Sequence, residues 1–176
     1  MKKLLALSLS LMLLLSIVPA FAQELQSAEI TVESIDGAPI AFEDLGFSLT
    51  IPEILAQTEV SEEEAAAGAF DCYAVADGSA YFYMIAQQIE GEGALENYIT
   101  TVQSTETVTD PGMLVINGIT WFVYTLAETN QQIFSTDVNG TVLLSVLCQP
   151  ADDAGFMTAM TQVLGTLKAL EAAPAA

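Results

Sequence analysis

The apolar positions of this chain fall into short runs punctuated by four Asx-Gly pairs: Asp36-Gly37, Asp77-Gly78, Asn117-Gly118 and Asn139-Gly140. Such pairs favour type I′ turns because both central residues accept positive φ, and they predict four hairpins in an antiparallel sheet. Folding the second run about Asp77-Gly78 places Phe70, Cys72, Ala74, Tyr81, Tyr83 and Ile85 on one face. Tyr73, Val75, Ala80, Phe82 and Met84 fall on the other. Both faces are apolar, whereas a sheet with one wet face alternates apolar with polar, so this hairpin is expected to be covered on both sides.

Two segments have the period of a covering helix. Leu95, Tyr98, Ile99 and Val102 recur at i, i+3, i+4 and i+7 after a glycine-containing loop, which predicts one amphipathic helix. After Pro150, Asp152 and Asp153 suit a helix N-terminus, and Phe156, Ala159, Met160, Val163, Leu167 and Leu170 form a stripe. That reading carries the helix through Lys168, whose cation would sit in the favourable last turn. Ser61-Glu62-Glu63-Glu64 matches a capping box and predicts a short exposed helix or an ordered turn before Gly68. No internal repeat or linker breaks the chain.

The first 22 residues have a different pattern. Lys2 and Lys3 precede an apolar run from Leu4 to Val18, Pro19 breaks it, and Ala20-Phe21-Ala22 follows as an A-x-A cleavage site. The expected organisation is a signal peptide over 1–22, a single domain over 23–170 and a flexible Ala-Pro-rich tail over 171–176. The expected location is outside the cell or in a periplasm. The chain has 176 residues, 52% of them apolar, enough to bury a core. Once the leader is removed, 23 Asp and Glu face Lys168 alone, a formal charge of −22. With no His and no Arg anywhere, the commonest catalytic base and the bidentate reader of phosphate are missing.

The order of the elements resembles the PsbP-like superfamily. The resemblance spans residues 45–170 and rests on five segments. These are Gly46-Phe47-Ser48-Leu49-Thr50-Ile51-Pro52 as an opening strand, the Asp77-Gly78 hairpin, Leu95-Glu96-Asn97-Tyr98-Ile99 at a helix start, Ile116-Asn117-Gly118-Ile119 with Trp121-Phe122, and the closing helix from Phe156 to Lys168. It implies an α+β fold: an α/β/α sandwich with a central antiparallel sheet and two main helices. The superfamily shares no common activity, so the resemblance speaks to fold and says little of function.

Candidate chemistry is sparse. Nucleophilic arrangements built on His are impossible, and a Ser-Lys pair would have to use Lys168. A carboxylate pair could hydrolyse a glycosidic bond with Asp and Glu alone, but 23 acids put some pair close by in any fold. Trp121, Tyr81 and Tyr83 could line a sugar cleft, although aromatic residues on strands usually belong to the core. Asp137-Val138-Asn139-Gly140 echoes the start of a calcium loop, yet Cys148 stands twelfth where a Glu should close it, and a plain turn explains the segment. No catalytic, cofactor-binding or metal-ligating residue is therefore assigned. Nucleic acid and anionic membranes are excluded as partners, because both need several cations.

Cys72 and Cys148 are the only cysteines. Folding about Asn139-Gly140 pairs Cys148 with Gln131 on the face of Ile133, Leu144 and Val146, and Cys72 lies mid-strand beside Tyr83. Both are expected to be buried. A disulfide requires their Cα atoms within about 7 Å, which leaves the bond open until the strand order is known. The reading as a whole is a secreted, acidic, non-catalytic binding or accessory domain with no cofactor, whose ligand is a protein or small molecule and whose charge favours a cationic one. The alternative is a carboxylate-dependent extracellular hydrolase.

Overall fold

A computed structural model describes residues 25–89, 93–104 and 108–170, so the expected signal peptide over 1–22 and tail over 171–176 lie outside the described residues. Among these residues eleven strands, three α-helices and one short 3-10 helix (Glu43–Leu45) follow one another. They are β1 (Gln26–Ile30), β2 (Gly37–Phe42), β3 (Phe47–Pro52), β4 (Leu55–Thr58), α1 (Glu62–Ala66), β5 (Ala69–Val75) and β6 (Tyr81–Gln88). After them come α2 (Ala94–Gln103), β7 (Val108–Ile116), β8 (Ile119–Leu126), β9 (Gln131–Val138), β10 (Val142–Gln149), α3 (Ala154–Leu164) and β11 (Lys168–Ala169). Eight strands form one sheet in the order β1-β7-β8-β9-β10-β6-β5-β4, and β11-β3-β2 form a second. Every pairing is antiparallel except that of β1 with β7. The fold is α+β with a large central sheet, as the resemblance implies, but that sheet is mixed where β1 joins β7 and a second, three-stranded sheet accompanies it.

Strand alternation sorts the large sheet into two apolar faces. Phe82, Met84, Trp121, Phe134, Leu144 and Val146 point inward to the main core. There they meet Phe47, Leu49 and Ile51 of β3, and Phe156, Met160, Val163 and Leu164 of α3. The Asp153 carboxylate begins α3 by accepting from the amides of Gly155 at 2.9 Å and Phe156 at 3.0 Å. On the outer face Phe122, Tyr124 and Ile133 form a smaller core under α2, to which the helix contributes Val102, Leu95, Tyr98 and Ile99. Helix α2 thus covers the outer face over β7–β9, whereas the β5–β6 hairpin, expected to be covered on both sides, has the main core on its inner face and only the short α1 beside β5 on its outer one. No helix among the described residues is long and apolar enough to cross a membrane.

The turns depart from the expected pattern in three places. Asn117-Gly118 makes the predicted two-residue turn, with φ of 50° and 84° and Ile116 facing Ile119. Asp36-Gly37 makes no hairpin. It leads from β1 in the large sheet to β2 in the small one, and glycine stands there because a Cβ would strike the Ile51 backbone. Asp77-Gly78 does reverse the chain, but only Gly78 has positive φ, and the Asp77 carboxylate holds the longer loop by accepting from the Ser79 amide at 2.9 Å and its hydroxyl at 2.6 Å. Asn139-Gly140 takes the two positive φ values, yet Thr141 is an extra residue in the loop and Val138 faces Val142. That one residue moves Cys148 opposite Gln132 rather than Gln131, and places Ile133 on the opposite face from Leu144 and Val146.

The last helix is also shorter than its apolar stripe. α3 ends at Leu164, and the chain then turns so that Lys168 faces Ser48 on β3. Lys168 therefore occupies an edge strand and not a helix terminus. Two contacts seat the residues that follow the helix. A Cβ at Gly165 would fall on the Val32 side chain, and the Thr166 hydroxyl, bonded to the Val163 carbonyl, accepts the Thr50 amide at 2.8 Å.

Candidate aromatic and acidic groove

The ends of three strands and two connections build a groove of about 560 Å³ on the outer face. Tyr81 and Tyr83 lie two apart on β6, so the pleat points both the same way. Their rings stack with centroids 6.4 Å apart and planes at 21°. Gln131 begins β9 and Gln149 ends β10, and both project onto the same face. Gln149 Oε1 accepts from the Tyr81 hydroxyl at 3.0 Å and from Gln131 Nε2 at 3.2 Å. Gln131 Nε2 also reaches the Tyr83 hydroxyl at 3.5 Å, and Thr129 Oγ1 donates to Gln131 Oε1 at 3.0 Å. This chain of bonds holds the two phenols in place.

Carboxylates rim the groove from two sides. Glu63 and Glu64 come from α1, whose start is held by the predicted capping box. Ser61 Oγ accepts the Glu64 amide at 3.2 Å, and Glu64 Oε2 accepts the Ser61 amide at 2.9 Å. Glu128 comes from the 127–130 turn that joins β8 to β9. Glu63 and Glu128 are exposed and Glu64 is half-buried. Their field reaches the floor. Burial, Glu64, the neighbouring Tyr83 and Cys72, and Glu63 hold the Tyr81 phenol above its ordinary range. Tyr83 is raised by burial and by Glu64 and Glu63, against the opposing hydrogen bond from Gln131.

The residues weighed from the sequence are distributed unevenly around this site. Tyr81 and Tyr83 line it. Trp121 is fully buried in the main core, with its indole nitrogen lacking a partner among the described residues. Cys72 shares the outer face with Tyr83, directly opposite it on β5, whereas Cys148 faces Phe82 and points into the main core. Both cysteines are buried free thiols. Strand β6 stands between them and they occupy opposite faces, so the open pairing is not made. Asp137 serves its turn, accepting the Gly140 amide at 2.6 Å. Among the described residues no group of three His, Cys, Asp or Glu is placed to hold a metal ion. Gln131, Gln149 and Glu128 were not singled out from the sequence, where nothing distinguishes them from other polar residues at strand ends and turns.

One buried carboxylate lies elsewhere. Asp71 accepts from the Tyr73 hydroxyl at 2.8 Å, Gln57 Nε2 at 2.8 Å and the Cys72 amide at 3.0 Å, and is fully engaged beside the main core. A bulge between Ala69 and Asp71 shifts the register there.

Comparison with known proteins places this architecture. No family model matches the chain, and no curated protein matches it. The solution structure of cyanobacterial PsbP from Synechocystis sp. PCC 6803 is similar over 75% of this chain and 91% of its own, with a TM-score of 0.52 and 11% sequence identity. The fold is PsbP-like. A crystal structure from Bacteroides thetaiotaomicron VPI-5482 aligns over 72% of this chain and 46% of its own at a TM-score of 0.46 and 14% identity. The segments that carried the PsbP-like resemblance form β3, the β5–β6 hairpin, the start of α2, the β7–β8 turn with Trp121 in the core, and α3. At such low identity the likeness concerns the PsbP-like fold and no residue of the groove.

Proposed function

We propose that this protein is an exported, acidic binding or accessory module without catalytic chemistry, and that the Tyr81–Tyr83 groove is its ligand site. The observation that carries this reading is the groove itself: two stacked phenols fixed by a glutamine network, within the size range of ligand pockets. Export rests on the leader pattern of residues 1–22. The formal charge argues against nucleic acid and anionic membranes as partners and favours a cationic ligand.

A carboxylate-dependent hydrolase is the rival, because Glu63, Glu64 and Glu128 stand beside aromatic rings. That chemistry needs one carboxyl withdrawn from water so that it stays protonated as the general acid. Here Glu63 and Glu128 are exposed and Glu64 is occupied by its cap, which supports binding over hydrolysis. The test is retention of molecules from the native cell surface by the wild type, Tyr81→Ala and Glu128→Gln, together with turnover assays on neutral glycosides. Retention that the two substitutions abolish supports the reading. Retention indifferent to both, or turnover lost in Glu128→Gln, overturns it.

A further inference from the structure

We infer that the groove selects an organic cation, an alkylammonium or guanidinium group lying against the Tyr81 ring with the Glu63, Glu64 and Glu128 carboxylates around it. This rests on the preceding assignment of the groove as the ligand site and names the chemical class it takes.

Three features converge on that class. The first is the floor. The half-exposed Tyr81 ring, backed by the nearly buried Tyr83, offers π surface to the groove, which attracts a cation through the ring quadrupole. The second is the balance of donors and acceptors. The rim presents carboxylate oxygens, while the polar groups of the floor are largely spent on each other: Gln149 Oε1 takes two donors and Gln131 uses its amide on Gln149, Tyr83 and Thr129. Beside the Gln149 amide donors and the Tyr83 hydroxyl, what remains toward a ligand is carboxylate oxygen, which suits a donor carrying positive charge. No lysine or arginine of the domain answers these acids, because the single cation outside the leader, Lys168, sits on β11 in the other sheet.

The third feature is size. Glu63 and Glu64 rise from α1 and Glu128 from the facing turn, so the acids border a space of about 560 Å³ and do not close on one point. A bare divalent ion needs several oxygens within about 2.6 Å of one centre and finds none here among the described residues. A large, weakly hydrated organic cation can touch the Tyr81 ring and feel all three charges at once. An anion would be repelled, and a neutral sugar would donate hydroxyls to the carboxylates but leave their charge uncompensated.

The experiment measures binding to the purified protein by titration calorimetry and by ¹H NMR of the tyrosine rings. The probes are choline, its neutral isostere 3,3-dimethylbutan-1-ol, and a capped tri-arginine peptide. Choline and the peptide distinguish a free small cation from a basic side chain on a partner, and saturable binding of either supports the class. Loss of one ring in Tyr81→Ala is expected to weaken cation binding about 2- to 30-fold, with Tyr81→Phe close to wild type. Glu63→Gln with Glu128→Gln should weaken it further and flatten its salt dependence. Glu29→Gln, an exposed acid on β1 far across the sheet, should leave it unchanged. Equal binding of the neutral isostere would overturn the cation class while leaving the groove as a site. Equal weakening by Glu29→Gln would overturn it as diffuse attraction to an acidic protein. If none of the three probes binds, the cation class is wrong, and the retention assay separately decides whether the groove is a site.

Discussion

Raising the pH should unfold this protein through its buried thiols and phenols. Burial, with Glu64 and Asp71 nearby, pushes the Cys72 thiol up from 9.0 to about 11. Burial alone pushes Cys148 higher still. Tyr73 is raised by burial and by its bond to the Asp71 carboxylate, and Tyr124 by burial and its 2.7 Å hydroxyl contact with Tyr98. Each group has a folded pKa above its unfolded one and is neutral when protonated. Its contribution is therefore complete below the unfolded value near 9 to 10, and is lost as the pH climbs toward the folded value. One pH unit is worth about 1.4 kcal/mol per proton, so the shift at Cys72 alone corresponds to about 3 kcal/mol lost between pH 9 and 11. Cys148 and the two phenols add to that loss, and a domain stable by about 5–15 kcal/mol has little left near pH 11. Urea unfolding at pH 7, 9, 10 and 11 measures it. Cys148→Ala should lower the slope of stability against pH above 9 by about one proton. Thiol titration completes the assay: no reactive group in the native protein at pH 8 and two per chain in denaturant without reductant. Stability flat from pH 8 to 11, or an unfolded chain with no reactive thiol, would refute the reasoning.

Met160, fully buried between α3 and the large sheet, should cost about 2–5 kcal/mol when replaced by Ala, read from urea melts at pH 7. Ser61→Ala removes the oxygen that caps α1 and should cost about 0.5–2 kcal/mol, with hydrogen exchange at the Ala65 and Ala67 amides rising before the core amides. The exported protein should begin at Gln23, which mass spectrometry of the intact chain decides; recovery of Met1 in a membrane fraction would contradict the leader reading.

Elements with a strong local signal were legible in the sequence. α2 covers the four apolar positions read at helical spacing, Asp153 caps α3, and Asn117-Gly118 makes its two-residue turn. What failed depended on tertiary contacts. Asp36-Gly37 looks like a hairpin, but its glycine answers the nearby Ile51 backbone, a contact between strands that no dipeptide reveals. Leu167 and Leu170 continue the apolar period of α3, yet the chain leaves the helix because β3 offers an open edge to β11. β1 is mostly exposed and carries a polar sequence, so its parallel pairing with β7 has no signature in periodicity. The groove was half legible: the tyrosines stand out on a strand, but Gln131, Gln149 and Glu128 become a site only when β9 and β10 lie beside β6.

The groove follows from how this sheet is covered. Eight strands about 4.8 Å apart span about 34 Å, whereas a helix is only about 10–12 Å wide. The inner face is closed by α3 together with the three-stranded sheet. The outer face has α2, which packs over β7 and β9, and then little more than five-residue α1 beside β5. Between them the Tyr81 end of β6 and the neighbouring ends of β9 and β10 are left under short connections. An apolar strip there would be an exposed hydrophobic patch. The chain instead places Tyr81, Tyr83, Gln131 and Gln149 on it, side chains that pack through their bodies and bond through their tips. The same choice that makes the uncovered strip tolerable in water makes it a floor able to hold a ligand. Substituting the four residues separately divides the two roles. Stability should track the loss of buried ring area, greatest for the nearly buried Tyr83, while ligand retention should track the more open Tyr81.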